Sequence, residues 1–248
     1  MNIVIFDTET TSLEKPFTYN IGYKIVNTDT NAEILRREFV VEQVWRNMAL
    51  FTTAYYADKR PIYVKAMRGK KAILDKFGYI CKIMSKDFRQ HKVTYAYAYN
   101  SPFDERVFNF NCDWFRCNNP FDTTPIIDIR GCVHEFLVND DYKEFCEKNG
   151  YFTESGNYST TAEIVYRYLF DNSFVEAHTA LADADIEAKI LKDCFDCGAE
   201  VGIEYPVQKS VWRNIPRTLE VKDKYGTIHT FDYTKKIATK NGEKIYLH

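Results

Sequence analysis

The chain begins with a short apolar run that ends in two carboxylates. Residues 2–6 are rich in β-branched side chains, which predicts a strand buried on both faces. Asp7 and Glu9 follow, and because side chains two apart on a strand point to the same face, they lie side by side. Two such charges repel each other, and burial raises the cost. A hard cation such as Mg²⁺ or Mn²⁺ between them removes both problems; a strand that ends in a solvated turn is the alternative.

A second carboxylate patch lies at a predicted helix start. Alternation over residues 93–99 predicts a strand, Ser101 suits an N-cap, and Pro102 suits the first helical position. Asp104 falls in the first turn, either as a carboxylate that caps the helix or as part of a site. The apolar residues expected on one face of this helix are Phe103, Val107, Phe110 and Trp114.

A third patch combines a histidine with a carboxylate. His178 precedes a predicted helix, and Asp183 lies near its start. A separation of five residues does not place both side chains on one face of a continuous helix. We therefore expect His178 on the leading loop and Asp183 on the first turn, both facing one site. The apolar stripe expected for this helix is Leu181, Ala184, Ala188 and Leu191.

These three patches resemble a known set of motifs. Asp-x-Glu, then Asn-x-x-Phe-Asp, then His-x-Ala-x-x-Asp resemble the exonuclease motifs of the DEDD superfamily, and the histidine spacing is similar to its DEDDh branch. This group includes proofreading exonuclease subunits, oligoribonuclease and RNase T-like enzymes. The resemblance covers roughly residues 1–200. It implies an α/β, RNase H-like fold, with a mixed five-stranded sheet flanked by helices. Family members commonly have a glycine after the Asp-x-Glu-Thr-Thr stretch. In this chain that position is Ser12, and Leu13 is the next residue.

The resemblance also implies roles for individual residues. Asp7, Glu9, Asp104 and Asp183 would bind two divalent ions, Mg²⁺ or Mn²⁺, with Asp7 as the bridge, and His178 would be the general base. The activity implied is 3′→5′ exonuclease hydrolysis of nucleic acid to nucleoside 5′-monophosphates. The residues expected to hold the terminal nucleotide are Thr10, Leu13, Asn100 and Phe103. Leu13 and Phe103 would alternatively belong to the core.

The substrate and the partners are less constrained by the sequence. We expect single-stranded DNA 3′ ends, with RNA or short oligonucleotides as the alternative. Because no polymerase sequence is attached, a proofreading role would require a separate polymerase or replication partner. A rival from another class is a catalytically silent nucleic-acid-binding or regulatory module on the same fold. A third is a structural protein whose carboxylates are only caps and surface groups.

Charge is distributed unevenly, although the chain as a whole carries −2. Residues 59–92 hold eleven basic and two acidic residues, a net +9, whereas residues 101–205 carry a net −13 and residues 207–248 a net +5. The basic block predicts a surface that binds the phosphate backbone. A helix within it would carry an apolar buried face of Ile73, Phe77, Ile80 and Met84. The lysines expected away from that face are Lys70, Lys71, Lys82 and Lys86. The aromatic residues expected to stack on bases are Tyr55, Tyr56 and Tyr63. An ordinary lysine-rich helix with its aromatics in the core is the alternative.

The remaining pattern predicts two domains. Residues 18–27 and 33–41 should complete an antiparallel meander with the first strand, residues 125–129 should form a further strand, and Thr160 with Glu163 should open a helix. We place an exonuclease domain at 1–205 and a basic β-hairpin extension at 206–248, where Asn241-Gly242 is a strong hairpin signal.

The cysteines and the apolar runs indicate a compartment. Seven cysteines at irregular spacing favour free thiols and a reducing, cytoplasmic location. Cys112 and Cys117 together with Cys194 and Cys197 would form a four-thiolate zinc site, but buried free thiols are the favoured interpretation. No apolar run approaches the roughly 20 residues of a membrane span. We expect no signal peptide, since carboxylates interrupt the N-terminal run, and no membrane partner.

Overall fold

The computed structural model describes residues 1–214, 218–222, 226, 228–232, 237–240 and 243–246. The strands are β1 Asn2–Thr10, β2 Thr18–Asn27, β3 Glu33–Val41, β4 Ile73–Asp75, β5 Val93–Ala98, β6 Ile126–Asp128, β7 Thr218–Lys222, β8 Ile228–Asp232, β9 Ile237–Lys240 and β10 Glu243–Tyr246. The helices are α1 Glu42–Trp45, α2 Met48–Phe51, α3 Arg60–Arg68, α4 Phe77–Gln90, α5 Ser101–Phe115, α6 Ile129–Phe136, α7 Asp140–Asn149, α8 Ala162–Leu169, α9 Ala180–Asp196 and α10 Lys209–Trp212. Within these described ranges, no helix has the length and apolarity needed to cross a membrane.

The central sheet is mixed and has the strand order β4-β3-β2-β1-β5-β6. Strands β1, β2 and β3 form the predicted antiparallel meander, while β5 runs parallel to β1 and β6 parallel to β5. The predicted α/β class is therefore confirmed. The sheet has six strands rather than five, because β4 pairs in parallel with β3 from Phe39–Ile73 to Val41–Asp75.

The additional strand corrects the interpretation of the basic block. Phe77, Ile80 and Met84 are buried on α4 as predicted, but Ile73 lies on β4 and is 41% exposed. A four-residue interval matches helical spacing even when a strand ends and a helix begins within it. Only the backbone pairing with β3 distinguishes the two structures.

Helices cover both faces of the sheet. From one face, Val4 and Phe6 of β1 pack into the core cluster that contains the buried residues of α4 and α5. From the other face, Ile3 and Ile5 pack into the cluster that contains the buried residues of α6–α9. Since side chains alternate along a strand, Asp7 continues the face of α9 and Thr8 continues the face of α5.

The helices α5 and α9 bury polar residues together with part of the predicted apolar faces. On α5, Val107 is buried as predicted, together with Asp104 and Asn111, while Trp114 is 62% exposed. On α9, Ala184 and Leu191 are buried as predicted, together with Asp183 and Glu187, while Leu181 and Ala188 are only partly buried. Apolar periodicity gave only part of each buried face, because both helices also bury polar side chains.

Two helix starts also differ by one residue from the predictions. The N-cap of α5 is Asn100, in the left-handed conformation, and Ser101 is the first helical residue. For α8 the side chain that accepts a capping hydrogen bond belongs to Thr161, which bonds the backbone N–H of Ile164, rather than to Thr160. Adjacent residues with similar capping ability leave such a choice to the path of the chain.

The C-terminal strands form a second sheet. Strands β7 to β10 pair antiparallel in the order β10-β9-β8-β7, which agrees with the predicted β-rich tail, and the Asn241-Gly242 turn lies outside the described residues. The segment that leads to this sheet contacts the main body. Gln208 Nε2 donates to Glu135 Oε2 at 2.6 Å, and the backbone N–H of Tyr158 donates to the carbonyl of Trp212 at 3.0 Å. The domain boundary between residues 205 and 206 stays a prediction.

Candidate active site

Three of the predicted metal ligands meet at the C-terminal end of β1. Carboxylate oxygens of Asp7, Glu9 and Asp183 all lie within 4.8 Å of one another. Asp7 and Glu9 project from the same face of β1, and Asp183 projects from the first turn of α9. Residues separated by more than 170 positions in the sequence thus form one cluster of carboxylates.

The position of Asp183 depends on how α9 is seated against β2. Asn20 Oδ1 accepts a hydrogen bond from the backbone N–H of Ala180 at 2.8 Å, and its amide donates to the carbonyl of Phe39 at 2.9 Å. Gly22 lies directly beneath the start of the helix. A Cβ atom at Gly22 would lie 2.1 Å from the backbone nitrogen of Leu181, so only glycine permits this approach.

Asp104 approaches the cluster from the other side of the sheet. It is 2% exposed, and the hydroxyl of Thr8 donates to its carboxylate at 2.6 Å. After burial, its charge is the largest influence that raises the pKa of Asp7. Asp104 therefore neighbours the group of Asp7, Glu9 and Asp183 without belonging to it, and its role as a metal ligand stays a prediction.

Burial and mutual repulsion hold protons on this cluster. Burial, with smaller contributions from Glu176 and Glu9, raises the pKa of Asp183 to about 9. Burial raises the pKa of Glu9 and of Asp104 to about 7, and the pKa of Asp7 lies well above its usual value. A site that retains protons in this way favours a positive charge among its oxygens.

The donor set fits hard divalent cations. Oδ1 of Asp183 is buried and has no hydrogen-bond partner. Carboxylate oxygens are the ligands that Mg²⁺ and Mn²⁺ prefer, and a bound cation would satisfy the oxygen that lacks a partner. The residues placed to hold it are Asp7, Glu9 and Asp183.

His178 lies on the loop before α9, as predicted. Its backbone is left-handed, with φ of 53°, which costs a residue with a side chain about 1 kcal/mol or more. Its ring stacks on Tyr56 with centroids 4.2 Å apart, and Nδ1 lies 3.5 Å from Oε2 of Glu176. Burial, with the nearby charge of Lys59, lowers its pKa, so the ring is neutral and able to accept a proton at neutral pH.

Two carboxylates near the site were missed from the sequence. Glu176 precedes His178 by two residues, and burial raises its pKa to about 7. Glu187 is 3% exposed, one helical turn after Asp183, and its Oε2 accepts a hydrogen bond from the backbone N–H of Tyr99 at 3.3 Å. The spacing of Glu187 from Asp183 was a usable signal, since residues four apart share a helix face. No local signal marks Glu176.

The four residues predicted to hold the terminal nucleotide differ in their exposure to solvent. Leu13 is 70% exposed, so it does not belong to the core. Thr10 and Phe103 are partly exposed and Asn100 is exposed. A cavity of about 330 Å³ opens beside Asn100. Their roles in holding a nucleotide stay predictions.

The three tyrosines expected to stack on bases differ in exposure and in contacts. Tyr55 is 88% exposed and available to a ligand. Tyr63 is fully buried in the core, so the prediction that it stacks on bases is wrong. Tyr56 stacks on His178, a contact that was not predicted from the sequence. Sequence alone does not separate these outcomes, because the three side chains have similar chemistry.

Solved structures share this fold. The nuclease domain of 3′hExo, a DEDDh family member bound to rAMP, matches with a TM-score of 0.54 at 16% identity, over 82% of this chain and 96% of that one. A 3′-exonuclease described for recognition of the histone mRNA stem-loop matches with a TM-score of 0.55 at 14% identity, over 94% of this chain and 91% of that one. This chain has the fold of DEDDh exonucleases. The resemblance predicted from the three motifs is thus confirmed at the level of the fold.

The sequence itself gives no comparable match. No protein-family model matches it, and a comparison with curated proteins finds no match.

A further solved structure, of a full-length 3′-exonuclease, matches with a TM-score of 0.50 at 15% identity, over 84% of this chain and 67% of that one. In this chain the DEDDh fold brings the motif residues from β1, α5, the loop before α9 and the first turn of α9 to one end of the sheet.

Proposed function

We propose that this chain is a divalent-metal-dependent 3′→5′ exonuclease that releases nucleoside 5′-monophosphates. The observation that supports it most is the meeting of Asp7, Glu9 and Asp183 beside a neutral histidine. Oδ1 of Asp183 is buried without a hydrogen-bond partner, and the three carboxylates repel one another. Both features are typical of a site that binds cations. The histidine on the loop before α9 is the group that we propose for proton transfer. The rival, a catalytically silent binding module, does not require this combination.

The chain's own groups suggest how hydrolysis proceeds. Divalent cations held by Asp7, Glu9 and Asp183 would supply charge stabilisation at the phosphate and would lower the pKa of the attacking water. His178 takes the proton of that water as the oxygen attacks phosphorus and the bond to the leaving 3′-oxygen breaks. Because Oε2 of Glu176 lies 3.5 Å from Nδ1, we propose that Glu176 orients the ring and that Nε2 is the nitrogen that accepts the proton. Thr8 fixes the carboxylate of Asp104.

For the substrate we propose single-stranded nucleic acid, with DNA 3′ ends preferred. The exposed ring of Tyr55 and the basic block at residues 59–92 suit a strand longer than a dinucleotide. RNA is the second candidate, favoured because the solved structures with this fold include one with rAMP and one described for a histone mRNA stem-loop. Degradation of end-labelled single-stranded DNA, duplex DNA, RNA and dinucleotides side by side decides between them.

Partner and compartment follow from weaker features. A separate polymerase or replication protein is proposed as a partner only if the enzyme proofreads. The free thiols of all seven cysteines are consistent with a reducing compartment, and we propose a cytoplasmic location.

The decisive experiment removes single carboxylates. Asp7→Ala and Asp183→Ala should abolish nucleotide release in Mg²⁺ or Mn²⁺ while circular dichroism shows an intact fold. Glu105→Ala, an exposed carboxylate beside Asp104, is the matched control and should retain activity. Full activity in either variant, or in excess chelator, would contradict the proposal. Tight binding of nucleic acid without release of mononucleotides in Mn²⁺ would favour the silent module.

A further inference from the structure

Three cysteine side chains meet between α4 and α5. The sulfur atoms of Cys81, Cys112 and Cys117 all lie within 4.8 Å of one another. Cys81 and Cys112 are buried, and Cys117 is half-buried. The zinc site weighed from the sequence paired Cys112 and Cys117 with Cys194 and Cys197, but Cys194 lies in the other core cluster, on α9. That four-thiolate site is therefore wrong, and Cys81 lies beside Cys112 and Cys117 instead.

The end of α5 builds this cluster. Arg116 adopts the left-handed conformation, with φ of 53°, and reverses the chain after the helix. The backbone N–H of Cys117 then donates to the carbonyl of Cys112 at 3.0 Å, which holds the two cysteines together. On α4, Gly78 packs against Cys117, with the position of a Cβ atom 3.4 Å from the Cβ of Cys117. Cys81 follows Gly78 by three residues, so it lies on the same side of that helix.

We propose that these three thiols bind one soft divalent cation, Zn²⁺ by preference. Thiolate sulfur selects Zn²⁺ over the Mg²⁺ or Mn²⁺ expected at the carboxylate site. A tetrahedral Zn²⁺ with sulfur ligands at about 2.3 Å places those sulfurs about 3.8 Å apart. The three sulfurs need to move only slightly to reach that geometry, since none is more than 4.8 Å from another.

The fourth coordination position faces a cavity of about 570 Å³. Cys81 and Cys117 line it, and among the described residues that complete its wall there is no carboxylate or imidazole. The fourth ligand is therefore a water molecule or a small anion. The cavity wall carries four cationic side chains, which favour an anion there: Lys76, Lys82, Arg89 and Arg116.

Metal binding at this cluster is coupled to the release of protons. A coordinated thiol is deprotonated outright, so binding releases protons. The site would join α4 to α5 and act on stability, independently of the proposed exonuclease activity.

Cobalt is the spectroscopic probe for this site. The full chain, reduced with a phosphine, is titrated with Co²⁺. We expect a thiolate-to-cobalt charge-transfer band that saturates at one equivalent and disappears when Zn²⁺ is added. The band should be lost in Cys81→Ser and in Cys117→Ser. It should persist in Cys197→Ser, an exposed cysteine, in Cys194→Ser, a buried one, and in Asp183→Asn, because carboxylate oxygens give no such band.

A second measurement uses the unaltered chain, so it does not depend on whether a variant folds. Zn²⁺ should protect Cys117 against alkylation by a maleimide, followed by peptide mass spectrometry, while the exposed Cys197 continues to react. Equal alkylation of Cys117 with and without Zn²⁺ would overturn the proposal. So would the absence of the charge-transfer band, or its survival in both Cys81→Ser and Cys117→Ser.

Discussion

The histidine of the candidate site is held on two sides. The ring of Tyr56 covers one face of His178, with an interplanar angle of 11°, and the carboxyl of Glu176 lies 3.5 Å from Nδ1. A left-handed backbone in a residue with a side chain persists only where its surroundings enforce it. We infer that these contacts fix which ring nitrogen faces the substrate.

Replacing Glu176 tests this orientation. Glu176→Gln should lower kcat by roughly 10–100-fold, as for other groups that orient a reacting side chain, and should leave KM almost unchanged. Steady-state kinetics on a labelled single strand measures it, with the exposed Glu154→Gln as the matched control. Retention of full kcat would show that Glu176 does not position the histidine.

The raised carboxyl pKa values also predict how stability depends on pH. In the folded protein the pKa of Glu9 and of Asp104 is about 7 and that of Asp183 about 9, so the folded state binds protons more tightly than the unfolded chain. Without metal, this stability is fully present below about pH 4 and is lost as pH rises towards about pH 9. Thermal unfolding in chelator at pH 5, 7 and 9 should show a falling Tm.

Metal and a single variant provide the controls for that experiment. Mn²⁺ should raise Tm more at pH 9 than at pH 5, because the cation replaces protons that are absent at high pH. Asp183→Asn should flatten the decline above pH 7. A Tm in chelator that does not fall between pH 5 and pH 9 would contradict the pKa assignments.

Among the elements, the seating of α9 on β2 decides the geometry of the site. The start of this helix is fixed by Asn20 and comes so close to the sheet that Gly22 has no room for a side chain. The helix carries Asp183 in its first turn, and the loop before it carries His178. A small displacement of one element would therefore move two groups of the site together.

Gly22→Ala tests the seating. The added methyl would lie 2.1 Å from backbone, which cannot turn aside as a side chain can, so α9 must move. We expect a loss of about 1–3 kcal/mol in the free energy of unfolding, the usual cost of overpacking. Activity should fall further than the unfolded fraction explains. The control is Gly69→Ala, since its Cβ would lie 3.3 Å from the nearest heavy atom, the carbonyl oxygen of Lys65. Equal effects of both variants would refute this account.

At the scale of the molecule, charge is segregated along the chain. The basic block at residues 59–92 forms two helices and a strand rather than one helix, and its lysines at 70, 71, 82 and 86 are exposed. At its beginning, Lys59 lies close enough to His178 to lower the pKa of the imidazole. The start of the block thus adjoins the site, which fits a strand that reaches the carboxylates from this side.

Neutralising lysines of this basic block tests whether the block binds the phosphate backbone of the substrate. The variant carries glutamine at Lys70, Lys71, Lys82 and Lys86. We expect these substitutions to raise KM for long single strands far more than for dinucleotides and to leave kcat unchanged. In a plot of the logarithm of the binding constant against the logarithm of the salt concentration, the slope should become shallower by about 0.7 for each phosphate contact removed. The matched control neutralises four lysines of α7 and α9: Lys143, Lys148, Lys189 and Lys192. Equal losses on long and short substrates would assign the block to folding instead.

The sequence by itself determined the features that depend on neighbours along the chain. A continuous apolar run located β1, alternation located β5, and the two-residue period put Asp7 and Glu9 on one face. The interval of five residues correctly separated His178 on a loop from Asp183 on the first helical turn. These inferences hold because backbone geometry over a few residues is nearly independent of the rest of the fold.

The tertiary structure alone decided the features that depend on distant partners. Ile73 lies on a strand because β3 offers its backbone hydrogen bonds, and Glu187 is buried because α9 turns its polar face towards the site. Cys81 of α4 meets Cys112 of α5 only after the chain has packed. Apolar periodicity measures the average tendency to be buried, whereas a buried carboxylate or thiol is stabilised by particular contacts that no local pattern contains.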